Sequence, residues 1–503
     1  MKRIAILGGG ISGLTAAYEL EKRRRAGEEL DWHLYEASDR LGGILDTTRI
    51  PTPEGDFILE GGPDGWVSEK PWLRELAIEL GLESEIIYSN DATRKTWVLV
   101  NGKLQAIPDG MRMMVPTDLN ALEGSPLFSD SAKRAYAREI ILAEELKRDA
   151  PDQDESVASF TTRHFGEEVT RTLAAPLLSG VFGGDVAKLS VRAVMPQFVA
   201  MEREYGSLIV AMQEKAVQLM LRSKQTIFTS LKRGMGSLVD ALVAQLPGER
   251  LHRSNPVFSL KREGKLWCVR YYTPAERSTP GKAKKHFHHV LLATSVDATA
   301  SLLRPVDSTA AALLPNDASS AILAAFTWPD ELASQFTIPP GFGFLVPPTH
   351  DVSSRPESSQ PHSEGAVERP ASSDPHGPPL LACTFVDQKF PHRAPSGARV
   401  MRAFFGGASA DALATASDLQ VVNAAMQQLR AILGPMPDPT HTTVRRWPRS
   451  LPQYEVGHLD RMAQLDELVS RVPGLHLLGN SYRGVGMPDL VHNARKTVAS
   501  IRP

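Results

Sequence analysis

The chain has 503 residues, too many for one simple core, so two or three domains are expected. Its 56 basic residues nearly balance 58 acidic ones and no basic block stands out, which argues against a nucleic-acid partner. The two cysteines, Cys268 and Cys383, are far apart and lack metal-ligand spacing; a disulfide framework or zinc site is not expected, and a reducing, cytoplasmic setting is.

At the N-terminus, Lys2 and Arg3 lead into "IAILGGGISGLTAAY", which imitates a secretory signal. The apolar run Ile4 to Leu7 is too short for one, and the glycines suit a strand followed by a tight turn. No apolar run approaches the roughly 18 residues of a spanning helix, so a soluble protein, or one lying on a membrane, is expected.

"RIAILG", the stretch Ser12 to Arg25 and "WHLYEA" read as strand, helix and strand, the opening of an α/β fold with a parallel sheet. Gly8, Gly10 and Gly13 stand in G-x-G-x-x-G order between that strand and helix, where glycine lets a pyrophosphate approach the helix N-terminus. Glu36 follows the second strand at the distance expected of a ribose-binding carboxylate. "ASDRLGG" then supplies Arg40, Gly42 and Gly43, and "LEGGPDGW" supplies Gly61, Gly62 and Gly65, where backbone can approach a flat ring.

Residues 68 to 80 read as a helix, and "KTWVLVNGKLQAIP" as two strands turning at Asn101-Gly102. From about 109 to 225 helical spacing dominates, with single helices expected over Ser131 to Arg148 and Gln197 to Arg222. Within the second, "SLIVAMQEKAVQLML" is amphipathic enough for a membrane surface and equally for ordinary domain packing. "FTSLKRGMGSLVDALVAQL" turns into another helix, and strands follow at 256–260, 266–272 and 289–293, the last returning to the first sheet. Further strands are expected within 318–346 and 380–407. Between them, residues 349–379 are rich in Ser, Pro and His and are expected to form a mobile surface loop.

Near the end, "LHLLGNSYRGVGMPDLVHNAR" reads as a buried strand, Leu475 to Leu478, a glycine turn, and a helix opening near Pro488 and Asp489. The expected domains are 1–90 with 223–300 and 450–503 for the dinucleotide, 91–108 with 301–449 for substrate, and a helical domain over 109–222.

Arg40 with two glycines just beyond the acidic residue resembles the amine-oxidase-like flavoprotein superfamily rather than nicotinamide enzymes, and so implies FAD. The resemblance assigns cofactor contacts to Gly8, Gly9, Gly10, Ile11, Ser12, Gly13, Glu36, Ala37, Arg40, Gly42, Gly43, Ile44, Gly62, Pro63, Asp64, Gly65 and Val257. At the C-terminal turn it assigns Gly479, Asn480, Val485, Gly486 and Met487. A helix starting there would point its amides at the flavin pyrimidine ring and stabilise the charge that reduction places on it.

"SGVFGGDVAKLSVRAVMPQF" (179–198), "LPQYEVGHLDR", "GNSYRGVGMPD", "LKRGMGSLVDAL" and "GFGFLVP" together resemble the protoporphyrinogen oxidase family over nearly the whole chain. That resemblance implies FAD-dependent oxidation of protoporphyrinogen IX to protoporphyrin IX, with dioxygen as acceptor and hydrogen peroxide as product, in heme biosynthesis. Coproporphyrinogen III oxidation to coproporphyrin III is implied as an alternative, because the sister enzymes share these motifs. The cofactor carries the hard chemistry, and no catalytic side chain is assigned.

The pocket is expected to be broad and apolar, with cations for the propionates. The family likeness places Gly180, Val181, Phe182 and Gly183 near the substrate, and Phe342 on its ring. Where plant and animal members carry an arginine, this chain has Thr96; Arg94 and Lys95 are the candidate replacements. A homodimer and a peripheral membrane contact fit the resemblance. The rivals are a flavin amine oxidase, a carotenoid-type desaturase, and a flavin-free escort protein on the same fold; intact Gly8, Gly10, Gly13, Glu36 and Arg40 speak against the last.

Overall fold

The computed structural model describes residues 1–220, 226–276, 279–348 and 378–502. Of the expected mobile loop, all but residues 378 and 379 lies outside the described residues.

Five parallel strands form the first sheet, in the spatial order Leu251–His252, Leu30–Tyr35, Lys2–Leu7, His289–Leu292, Leu475–Leu477. The strand path reverses direction between Lys2–Leu7 and His289–Leu292, and a crevice opens beyond the carboxyl ends of the strands at such a point. Alternation along the first strand feeds two cores at once. Ile4 and Ile6 pack with the helices Ile11–Arg25 and Met487–Ser500. Ala5 and Leu7 pack against an antiparallel meander of Val257–Glu263, Leu266–Glu276 and Thr279–Phe287. Burial on both faces explains why Ile4 to Leu7 are uniformly apolar. The third meander strand is not anticipated from the sequence, since its lysine-rich "KAKKHF" lacks an apolar run.

Ends of the chain meet on the first face. Arg23 donates to the Val498 carbonyl at 2.7 Å, and Arg495 pairs with Glu19 at 2.9 Å and Glu79 at 2.7 Å. Four basic residues, Lys22 to Arg25, close the first helix in favourable order for its dipole.

A seven-stranded sheet forms the second layer: His441–Pro452, Ala318–Trp328, Arg399–Gly406, Ala382–Phe385, Gly343–Leu345, Thr96–Val100, Lys103–Ala106. All neighbours are antiparallel except Gly343–Leu345 with Thr96–Val100. Asn101 and Gly102 turn with φ of 50° and 73°, the paired positive values a two-residue hairpin needs.

The segment from 120 to 220 is helical, but its two long expected helices are each broken. Asp130–Ile141 and Ala143–Arg148 divide at Leu142, and Pro196–Tyr205 and Leu208–Met220 divide at Gly206, whose φ is +72°. A Cβ on Gly206 would lie 1.8 Å from the Ala143 carbonyl oxygen, so close packing rather than periodicity decides that break. The helix expected over 68–80 is shorter, Trp72–Glu79; Ser68 instead donates its amide to the Ile227 carbonyl at 2.9 Å, continuing the pairing of Trp66–Val67 with Phe228–Leu231. In Leu208–Met220, Leu208, Ile209, Ala211 and Met212 are buried in the helical core, so this part of the amphipathic face serves domain packing. No helix among the described residues is long and apolar enough to cross a membrane.

Candidate active site

The glycine turn is set by sterics. Gly8 has φ +107°, and a Cβ there would lie 2.3 Å from the Ala293 carbonyl oxygen of the adjacent parallel strand's end. A Cβ on Gly13 would lie 2.0 Å from the Gly8 oxygen, so this glycine lets the first helix sit on the turn. Gly10 and Gly42 form an isolated parallel bridge, which brings the "RLGG" backbone beside the turn. Glu36 is held by the Gly9 amide at 2.7 Å on one oxygen and by the Ser38 amide at 2.8 Å on the other. Arg40 donates to the backbone carbonyls of Gly43 and Leu45 and lies over the Trp447 ring at 5.7 Å.

At the far end, Gly486 caps the helix Met487–Ser500, with Pro488 in its first turn as expected. Asp489, also in that turn, is met by Lys70 at 2.6 Å. The lysine offsets a carboxylate that would otherwise oppose an anion at this helix end.

Both glycine turns open into one cleft of ≈ 840 Å³. Its walls include Gly8, Gly9, Gly10, Ile11, Ser12, Glu36, Ala37, Arg40, Gly42, Gly43 and Ile44 from the N-terminal side. Pro63, Asp64, Gly65 and Val257 follow, and Gly479, Asn480, Val485, Gly486 and Met487 close the other end. Two expected cofactor residues lie off this wall: Gly13 is packed beneath the turn, and Gly62 faces the adjoining chamber. A Cβ on Gly62 would lie 1.9 Å from the Ile44 oxygen, so backbone packing dictates that glycine. A helix N-terminus, a carboxylate at the end of the second strand and glycine-bared backbone along one continuous cleft fit FAD.

A second chamber of ≈ 550 Å³ adjoins the cleft. They share a wall that includes Asp64, Val181, Phe228, Lys389, Trp447 and Ser450. Gly180, Val181, Gly183 and Phe342 line the chamber as expected, whereas Phe182 packs on the helical core. Gly183, at φ +64°, ends the helix Ala175–Phe182 in a left-handed turn. Phe342 is fixed between Gly341 and Gly343; a Cβ on Gly343 would lie 2.0 Å from the Cys383 oxygen.

Arg94 and Lys95 are exposed and line neither cavity. The strand begins only at Thr96, so strand alternation does not aim their side chains, and Thr96 alone of the three reaches the wall. Lys95 contributes its carbonyl, which accepts the Phe342 amide at 2.7 Å.

The chamber's cations come from elsewhere, and sequence reasoning missed them. Lys389 lies 3.0 and 3.1 Å from the two oxygens of Asp64, and Arg402 lies 3.2 Å from the second. Burial pushes the Asp64 carboxyl up, but Lys389 and Arg402 outweigh it and bring it down to about 2. The Arg402 guanidinium also donates to the Gly62 carbonyl. Deeper, Arg393 pairs with Glu60 at 2.7 Å, both almost wholly buried. Trp447, likewise missed, donates its indole N–H to Gly61 at 2.6 Å; its position just before "LPQY" was the available signal.

Over residues 11–502 the sequence matches the flavin-containing amine oxidoreductases, and the chain belongs to that family. It is an FAD-dependent oxidase of the branch that contains the porphyrinogen oxidases. It is 30% identical to the coproporphyrinogen III oxidase of Bacillus subtilis (strain 168), across 99% of this chain and 97% of the relative. Identity to protoporphyrinogen oxidase 1, chloroplastic, of Arabidopsis thaliana is 28%, across 99% and 87%. A crystal structure from Exiguobacterium sp. 255-15, provisionally named a protoporphyrinogen oxidase, superposes with a TM-score of 0.76 at 29% identity, across 99% and 98%.

Proposed function

We propose that this protein oxidises a porphyrinogen to the corresponding porphyrin, with dioxygen as electron acceptor and hydrogen peroxide as product. The observation that carries the reading is the shared wall between a dinucleotide cleft and a largely apolar chamber. A macrocycle in the second chamber would meet the redox end of a cofactor held in the first. Similarity to relatives named for both porphyrinogens supports the substrate class.

FAD, when bound, accepts the electrons removed from the macrocycle and passes them to dioxygen. The chain's residues bind and orient. The glycine turn and Glu36 receive the nucleotide half, while the helix beginning at Met487 offers amide dipoles at the opposite end. Phe342, Val181 and Phe404 provide apolar surface in the chamber, and Trp447 spans its junction with the cleft. Over the whole reaction the macrocycle loses six hydrogens, four from its meso carbons and two from pyrrole nitrogens, and three dioxygen molecules become three of hydrogen peroxide.

The test is aerobic incubation of the yellow holoenzyme with protoporphyrinogen IX and coproporphyrinogen III. Porphyrin fluorescence should rise with peroxide in step. Bound flavin with neither porphyrinogen oxidised would refute the reading, and oxidation of a primary or secondary amine instead would favour the amine oxidase alternative.

A further inference from the structure

The buried charges between the two cavities do not balance. Asp64 and Glu60 supply two carboxylates; Lys389, Arg393 and Arg402 supply three cations, leaving a surplus of one. Arg393 and Glu60 match one another, and Glu60 also accepts the Met235 amide at 2.7 Å and the Thr47 hydroxyl at 2.6 Å. The surplus therefore rests on Lys389 and Arg402, which share Asp64. Their side chains are 12% and 3% exposed, and Nε of Arg402 is buried without a hydrogen-bond partner. Lys389 lies over the Phe228 ring, 4.4 Å from its centre, which stabilises a desolvated ammonium only in part. An uncompensated buried charge is costly, and the cost vanishes when an anion arrives.

With Asp64, these two cations are the only charged residues lining the second chamber among the described residues. We propose that Lys389 and Arg402 form the receptor for a substrate propionate, the role expected of the exposed Arg94 and Lys95. This rests on the porphyrinogen reading above and adds the residues that hold the substrate's carboxylate. Coproporphyrinogen III presents a carboxylate on whichever edge enters the chamber. Protoporphyrinogen IX keeps propionates on two pyrroles, so it fills the same receptor when one of those edges enters.

Lys389→Met removes the surplus charge while leaving Asp64 paired with Arg402, and Lys389→Arg restores it. Rates of porphyrin formation from both porphyrinogens should be measured for each holoenzyme, together with the flavin midpoint potential. The expected result is a loss in kcat/KM of about tenfold on either porphyrinogen in Lys389→Met, carried by KM. Recovery in Lys389→Arg and an unmoved potential complete the expected pattern. An unchanged kcat/KM overturns the proposal, and so does a potential shift that accounts for the loss, because the surplus would then serve the cofactor.

A wild type that oxidises neither porphyrinogen refutes the activity, and the receptor is then judged by binding alone. Fluorescence titration of wild-type holoenzyme with coproporphyrin III and with its tetramethyl ester needs no variant and no turnover. About tenfold weaker binding of the ester supports the receptor; equal binding of acid and ester overturns it.

Discussion

Gly9 donates its amide to the carboxylate of Glu36 at 2.7 Å, tying the first glycine turn to the end of the neighbouring parallel strand. The carboxylate therefore orders the turn as well as lining the cleft. Glu36→Ala should weaken FAD binding by about 1.5–3 kcal/mol, the range for a hydrogen bond to a charged group. Reconstitution of apoprotein followed by flavin absorbance checks this. Unchanged flavin content in the purified variant would remove Glu36 from the cofactor site.

Gly13 tests whether the turn is steric in origin. Its added Cβ would meet the Gly8 oxygen at 2.0 Å, a contact that neither backbone can relieve locally. Gly13→Ala should destabilise the domain by at least about 1–3 kcal/mol and lower flavin occupancy. Gly27, with nothing within 4 Å of an added Cβ, is the matched control for space alone, although its φ of +98° adds strain of its own. Thermal unfolding of both variants with and without FAD separates the two effects.

Phe342 is 8% exposed, and its backbone is pinned by Lys95 at 2.7 Å and Phe385 at 2.9 Å. Phe342→Leu keeps most of the volume and should raise KM for the porphyrinogen several-fold with little change in stability. Phe342→Ala should in addition cost about 3–5 kcal/mol of stability by opening a cavity. Steady-state kinetics and melting curves distinguish them; a Leu variant with wild-type KM would make the ring a packing element only.

The helical segment carries a separate, pH-sensitive core. Buried His164 lies 3.0 Å from Glu139 and 3.1 Å from Glu202, and Arg163 also pairs with Glu202. Burial pushes the His164 pKa down, but the two carboxylates outweigh it and hold it above its ordinary value. Burial likewise pushes Glu202 up, and His164 and Arg163 bring it below its ordinary value. A raised histidine stabilises the fold fully below its unfolded pKa, about 6.5, and that contribution is lost as pH rises through the folded value. A lowered glutamate stabilises above about 4.3, and its contribution is lost as pH falls through the folded value. This cluster should therefore stabilise most between about pH 4.3 and 6.5. His164→Gln should lower Tm most in that window, with the deficit shrinking at alkaline pH; a pH-independent deficit would refute the linkage.

The sequence by itself determined the nucleotide half. Gly8, Gly13 and Gly42 were legible because a tight turn and close backbone approach are local demands that glycine alone meets at fixed spacing. Lys2–Leu7 and His289–Leu292 were legible because burial on both faces requires an apolar run, whereas the two-residue Leu251–His252 was not anticipated. Helix ends inside 109–222 were not, because Gly206 breaks its helix through contact with Ala143, which periodicity does not report. Tertiary structure alone decided the charges of the second chamber. Lys389 and Arg402 look like ordinary surface cations in the sequence, and Arg94 and Lys95 look like better ones. Folding brings Asp64 to the first pair from more than three hundred residues away and leaves the second exposed, because sheet topology, not nearness in sequence, chooses which ions share a buried wall.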